Sequence, residues 1–167
     1  MQIIIVGCGK VGTALAAKLS VEDHNITVVD TDAGVVQMVA NTYDVQGIIG
    51  NGASYSILAE AGIEATDLLI AVTESDEMNL LCCVIAKKAG KCQTIARVRD
   101  PIYMHERNFI KDELGLSMII NPEFMAAREI SRFLNVPAAT EIYTFAKGRV
   151  EMLRLRTSIW PDWYGGA

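Results

Sequence analysis

Apolar positions along the chain fall into short blocks of two kinds, divided by small or polar turns. Residues 2–6, 26–29, 45–49, 68–72, 93–98 and 118–120 form short runs rich in β-branched side chains. The run at 68–72 is almost purely apolar, as expected of a strand covered on both faces. Between these runs lie stretches of helical composition or spacing, at 11–19, 35–39, 57–61, 78–89 and 101–114. The 78–89 stretch puts Met78, Leu81, Val84 and Ile85 on one predicted face. Punctuation agrees with this division. Ser54 is a candidate N-cap, Gly62 and Gly90 stop helices, Thr73 and Asp76 have capping-box spacing, and acids fill the turn that follows. After Asn121, Pro122 suits the first position of another helix, with Ala126, Ile130, Phe133 and Leu134 as its apolar stripe. That stripe is open to two readings, packing on a neighbouring subunit or on the chain's own sheet. Residues 141–146 and 150–155 read as strands about a Lys147-Gly148-Arg149 turn, and residues 160–167 match no element.

Strand and helix alternate as βαβαβ twice over, which predicts an α/β, doubly wound parallel sheet of six strands with right-handed crossovers. The expected strand order is 3-2-1-4-5-6, with a crevice where the order reverses between the first and fourth strands. The turns holding Gly7 to Gly12, Asp30 to Asp32, Asn51 to Ala53 and Thr73 to Asp76 would open on it. The division expected is 1–121 for the sheet domain, 122–136 for a separate helix, which the resemblance given below makes a crossing or dimerisation helix, and 137–156 for a short strand extension. Residues 157–167 are expected to be disordered or an artificial tail.

Composition narrows the function. The chain has 167 residues, a net charge of −5 and no lysine or arginine cluster, which disfavours nucleic acid as a partner. Half of the residues are hydrophobic, at 51%, but no run reaches the length of a membrane span, so no direct insertion is expected. Met1 leads straight into the first strand, so export is not expected either. The cysteines at 8, 82, 83 and 92 have no metal-ligand spacing and read as core thiols of a reduced cytoplasmic protein, with Cys82 and Cys83 pointing in different directions.

The chemistry concentrates in Gly7-Cys8-Gly9-Lys10-Val11-Gly12, a glycine turn set between strand and helix. Gly7 would permit the tight turn, Gly9 a close backbone approach to a pyrophosphate, and Gly12 close packing of helix on strand. The helix would offer unpaired amides and the positive end of its dipole to phosphates. Asp30, eighteen positions after Gly12, ends the second strand where a carboxylate accepts hydrogen bonds from both ribose hydroxyls. It would repel a 2′-phosphate, which favours NAD(H) or adenosine nucleotides over NADP. The bland alternatives are a turn that only connects, and an Asp30 that only caps the next helix. Arg97, at a strand's carboxyl end, reads as a phosphate contact or as a surface arginine paired with Asp100 or Glu74. Helix-end placement could lower the pKa of Cys8. His24 is expected in solvent and His105 on an exposed helix face, so no catalytic or metal role is assigned to either.

Five motifs carry a resemblance: residues 3–12, Val28-Val29-Asp30-Thr31-Asp32, Gly50-Asn51-Gly52-Ala53-Ser54, residues 71–79 (A-V-T-E-S-D-E-M-N) and Ala96-Arg97-Val98-Arg99-Asp100-Pro101. In these the chain resembles the N-terminal nucleotide-binding (TrkA-N) domain of the Trk/Ktr potassium-uptake regulators, the Rossmann half of the RCK or KTN module, over residues 1 to about 150. The resemblance implies a Rossmann fold and a non-enzymatic, nucleotide-sensing regulatory subunit. It implies a cytoplasmic ring at the inner face of the cell membrane, built from dimers, on a membrane-embedded potassium channel or transporter. NAD or NADH, or alternatively ATP or ADP, would occupy the crevice and gate potassium transport. Carried over by position, Gly7, Cys8, Gly9, Lys10, Val11 and Gly12 would hold phosphates, and Asp30 with Thr31 the ribose. Asn51, Gly52 and Ala53 would line the adenine end, Thr73 and Glu74 the second part of the ligand, and Arg97 its phosphates. The helix after Pro122 corresponds to the crossing helix by which two such domains pair. The rival reading, a small NAD-dependent oxidoreductase, would need a proton donor and a substrate pocket beyond the cofactor domain.

Overall fold

A computed structural model describes residues 1–135, 139–145 and 150–155. The chain divides into two compact units, one of Met1–Asn121 and one beginning at Pro122. In the first, strands β1 (Gln2–Val6), β2 (Asn25–Asp30), β3 (Gln46–Ile49), β4 (Leu68–Ala71), β5 (Gln93–Arg97) and β6 (Met118–Ile120) form one sheet in the order β3-β2-β1-β4-β5-β6. Every pairing in it is parallel. Helices α1 (Lys10–Ser20), α2 (Ala33–Tyr43), α3 (Tyr55–Glu60), α4 (Asp76–Ala89), α5 (Pro101–His105) and α6 (Arg107–Glu113) connect the strands, with a 3-10 turn at Ile63–Ala65. The expected order is thus the observed one.

The alternation of the pleat sends the two halves of each strand into separate cores. Ile4, Val6, Val29, Leu69 and Ala71 join Leu58, Cys82, Cys83 and Ala86 on one face of the sheet. Ile3, Ile5, Val28, Ile70 and Val72 join Ala16, Val36 and Val39 on the other. Full burial of an Ile or Leu side chain contributes roughly 1.5–3 kcal/mol, so the central strands hold the sheet by being covered twice.

Three local expectations fail. The helix expected over 101–114 is two helices broken at Glu106, whose φ of −99° and ψ of 12° leave the helical region. Neither piece has a buried residue, so no continuous apolar stripe holds them in register. The buried stripe of α4 is Asn79, Cys82, Cys83 and Ala86, while Leu81 is exposed. Because α4 packs on β4 and β5 and is flanked in the same core by α3 and the 3-10 turn, both adjacent cysteines turn inward. The cap of α4 is Ser75, whose hydroxyl accepts from the Met78 amide at 3.1 Å, and not a Thr73–Asp76 box. All four cysteines are buried free thiols.

In the second unit, α7 (Pro122–Asn135) is followed by an antiparallel pair, β7 (Ala139–Phe145) and β8 (Val150–Leu155), with Ile142 opposite Leu153. Phe124, Met125, Ile130 and Leu134 of α7 are exposed, the last by 67%. The expected 147–149 turn and the 157–167 tail lie outside the described residues.

Candidate functional site

Four turns meet at the carboxyl ends of β1 to β4, where the order of strands reverses and helices leave on opposite faces. The glycine turn lies at their centre. Gly7 has φ of +100°, which favours glycine, and a Cβ there would lie 2.8 Å from the Thr73 nitrogen. A Cβ on Gly12 would lie 1.8 Å from the Gly7 carbonyl oxygen, whereas one on Gly9 would meet nothing within 4 Å. Two glycines are therefore required by contact within the protein, and the third faces open space.

The helix that follows opens with no side-chain cap and no acid in its first turn. The first amides of any helix lack intrahelical partners, so those of Lys10, Val11 and Gly12 carry the positive end of the dipole toward the crevice. Lys10 is exposed and Val11 half-buried. This set fits an anionic group, since donors and positive charge converge there without a resident carboxylate at the helix start.

Asp30 is tied to this turn from the β2 side. One carboxylate oxygen accepts from the Cys8 amide at 2.6 Å and the other from the Asp32 amide at 3.1 Å. The cap of α2 is Asp32, which accepts from the Gly34 and Val35 amides, so capping α2 is not the role of Asp30. Thr31 beside it is exposed. Cys8 departs from expectation, because its thiol lies buried beneath the turn. Burial, and then the charge of Asp30, push its pKa up to about 12 rather than down. Only the Cys8 backbone belongs to the crevice.

The β3 turn is shaped by side chain and space. Asn51 accepts from the Ala53 amide at 2.9 Å, and Gly52 lies so close to Val6 that a Cβ would approach Val6 Cγ1 to 2.3 Å. Ala53 packs on the core.

On the β4 side the Thr73 amide and hydroxyl both donate to Asn79 Oδ1, each at 2.7 Å. Asn79, with 0% exposure, donates in turn to the Thr73 carbonyl at 3.2 Å and the Arg97 carbonyl at 2.9 Å. Asp76 is also buried and accepts from the Arg99 and Asp100 amides, both at 2.7 Å. The Arg99 guanidinium donates to the Glu74 carbonyl and stands 3.7 Å from Asp76 Oδ1. The contact with residue 74 thus belongs to Arg99, while Arg97 is half-buried at the end of β5. Asn79, Asp76 and Arg99 organise the site without having been singled out individually as site residues. The available signal was a polar Asn at position 79, in phase with Cys82, Cys83 and Ala86 on the buried face of α4.

His24 is half-buried, with Nε2 3.9 Å from Glu22, and so is less solvated than expected; His105 is exposed at the end of α5. Among the described residues no group of three His, Cys, Asp or Glu side chains is placed to hold a metal ion, and no helix is long and apolar enough to cross a membrane. A shallow cleft of about 250 Å³ lies at the opposite, amino-terminal end of the strands, lined by Gln2, Thr27, Gln46 and Thr66 among others. The Thr27 hydroxyl donates to Gln46 Oε1 and the Thr66 hydroxyl to the Gly62 carbonyl, so both hydroxyl protons are spent within the protein.

The description of the TrkA-N domain matches residues 3–122. The chain is 38% identical, over 93% of its length, to the Trk system potassium uptake protein TrkA homolog of Archaeoglobus fulgidus. It is 34% identical over its full length to the TrkA protein of Haemophilus influenzae. It spans about a third of these relatives, 35% and 36% of their lengths. Among solved structures it is similar to the TrkA-N domain of the inner membrane protein ybaL from Escherichia coli, with TM-score 0.70 and 25% identity over 80% of this chain and 96% of that one. The GsuK channel bound to NAD shares the fold at TM-score 0.66 and 20% identity, over 87% of this chain and 25% of the channel. GsuK bound to ADP does so at TM-score 0.64 and 21% identity, over 84% and 35%.

Proposed function

We propose a function from one premise, that this chain belongs to the TrkA-N domain family. It is the nucleotide-sensing part of a cytoplasmic regulatory subunit that acts on a membrane-embedded potassium channel or transporter. The relatives' names support the potassium system, and the NAD and ADP bound by a protein of the same fold support the class of ligand.

One observation carries the reading. Gly7 and Gly12 are held by contacts within the protein, while Gly9 and the uncapped start of α1 face open space beside the Asp30 carboxylate. A turn that only connected strand to helix would have no use for an open third glycine next to converging amides. NAD(H), or alternatively ATP or ADP, would lie with its phosphates on Gly9 to Gly12 and its adenosine ribose on Asp30. Asn51 to Ala53 would flank the adenine, Thr73 and Glu74 the second part of the ligand, and Arg97 would approach its phosphates. The chain's own residues bind and orient the ligand. Among the described residues no histidine stands at these turns to supply a proton donor for hydride transfer, which favours a binding module over an oxidoreductase.

Sensing follows from linkage. A ligand shifts the balance between two arrangements of paired domains only by its differential affinity for them. The exposed apolar residues of α7 favour pairing between copies of this chain, at the inner face of the membrane.

Thermal unfolding with NAD, NADH, NADP, ATP and ADP tests the site, using the unaltered chain and Asp30→Asn. A ligand at a hundred times its dissociation constant adds about 2.7 kcal/mol of stability. Adenine nucleotides should raise the melting temperature, NADP the least, and the shift should shrink in Asp30→Asn. Absence of any shift at millimolar ligand would remove the reading.

A further inference from the structure

The two sides of the crevice are built differently. On the β2 side a single carboxylate, Asp30, is tied to the glycine turn. On the β4 side the wall is Thr73-Glu74, and neither residue is held by its own strand, since β4 ends at Ala71. It is held from behind. Asn79 takes both donors of Thr73 and grips the Arg97 carbonyl. Asp76 takes the Arg99 and Asp100 amides, and the Arg99 guanidinium returns to the Glu74 carbonyl and to Asp76. The Asn121 side chain closes the circuit by donating to the Arg99 carbonyl at 3.3 Å. Two turns from different strands are thereby joined through buried polar groups, with Asp76 Oδ2 taking both amides and Asp76 Oδ1 facing the Arg99 guanidinium as an ion pair.

We propose that Asp76 and Arg99 form a latch that positions the Thr73-Glu74 wall and so selectively sets affinity for the part of a dinucleotide beyond its adenosine diphosphate. The inference rests on the nucleotide-binding reading above. It follows from strand order. Phosphates at the α1 start separate a β2–β3 side, where Asp30 and Asn51 stand, from a β4–β5 side, where the latch stands. A ligand that ends at its diphosphate does not extend to the Thr73-Glu74 wall. A dinucleotide must also meet Thr73-Glu74, and a wall free to move makes it bear the cost of ordering that wall. Asp76 and Arg99 are positioning residues here and touch no ligand in this scheme.

Calorimetric titration of the full chain with NAD and with ADP separates the possibilities. Arg99→Gln removes the guanidinium from an exposed position while keeping the amide that Asp76 accepts, so the variant should fold. Affinity for NAD should fall roughly three- to tenfold, with ADP affinity unchanged within about twofold. Asp76→Ala should show the same split more strongly. Asp76→Asn, which retains an acceptor for both amides, should recover most of the NAD affinity lost by Asp76→Ala. A purely structural role would weaken both ligands together, and that result, or no change in either, overturns the latch while leaving the nucleotide site standing. If the unaltered chain binds neither ligand, the site and the latch fall together.

Discussion

Gly9 and Gly12 look alike in the sequence, as two glycines of one motif, and the structure gives them opposite duties. Gly12 has no room for a methyl group, because its Cβ would overlap the Gly7 carbonyl oxygen. Gly12→Ala must displace backbone, and should cost about 3 kcal/mol or more in urea unfolding. Gly9 has φ of −68°, open to any residue, with no neighbour to collide with. Gly9→Ala should therefore stay within about 1 kcal/mol of the parent. On the proposed reading it should nonetheless lose nucleotide affinity roughly tenfold, about 1.4 kcal/mol, since the methyl would stand where the pyrophosphate approaches. Equal destabilisation by the two variants would contradict this division. The motif was readable at this scale because glycine spacing is a backbone requirement written directly in residue type. The Cys8 thiol was misjudged for the converse reason. Its neighbours in sequence suggest a helix end, but the strand geometry turns its side chain under the turn and into the core, where burial raises the pKa.

At the scale of elements, α4 shows where reading by apolar residue type breaks down. Counting only apolar residues selects a face through Met78, Leu81, Val84 and Ile85. Met78 and Ile85 do pack on the core, but Leu81 is exposed and the fully buried face centres on Asn79, whose four hydrogen bonds supply what burial takes from it. A polar residue in the core is invisible to a hydrophobic pattern, since its partners are Thr73 in the turn before the helix and the Arg97 carbonyl of β5. Urea unfolding distinguishes the two faces. Asn79→Ala leaves the Thr73 amide and the Arg97 carbonyl without this partner and should cost about 2–4 kcal/mol, whereas Leu81→Lys, on the exposed face, should stay within about 0.5 kcal/mol. A costly Leu81→Lys would restore the face read from the sequence. Short helices show the same limit differently. The 101–114 stretch has helical composition throughout, yet without a buried stripe nothing decides where α5 ends and α6 begins.

At the scale of the whole molecule, topology was legible because handedness and alternation leave few choices. Six strands separated by helical connections, each parallel to its neighbour, admit the order seen here once the glycine turn marks β1. The second unit was less legible, since an apolar stripe on an amphipathic helix says that something covers it but not what. The two cores of the first unit draw every buried member from residues 3–116. A fragment of residues 1–121 should therefore unfold in one cooperative step and keep the nucleotide-dependent thermal shift of the full chain. The fragment also lacks α7, and with it Phe124, Met125, Ile130 and Leu134. If those side chains pair copies of the chain, light scattering should find the 167-residue protein paired and the fragment single at the same concentration. In the full chain, Ile130→Glu combined with Leu134→Glu should separate the copies while sparing nucleotide binding, because neither position belongs to the crevice. A fragment that stays paired would move the contact into the first unit. One that loses the thermal shift would mean that the crevice needs residues beyond Asn121, and that sensing and pairing are one structure rather than two.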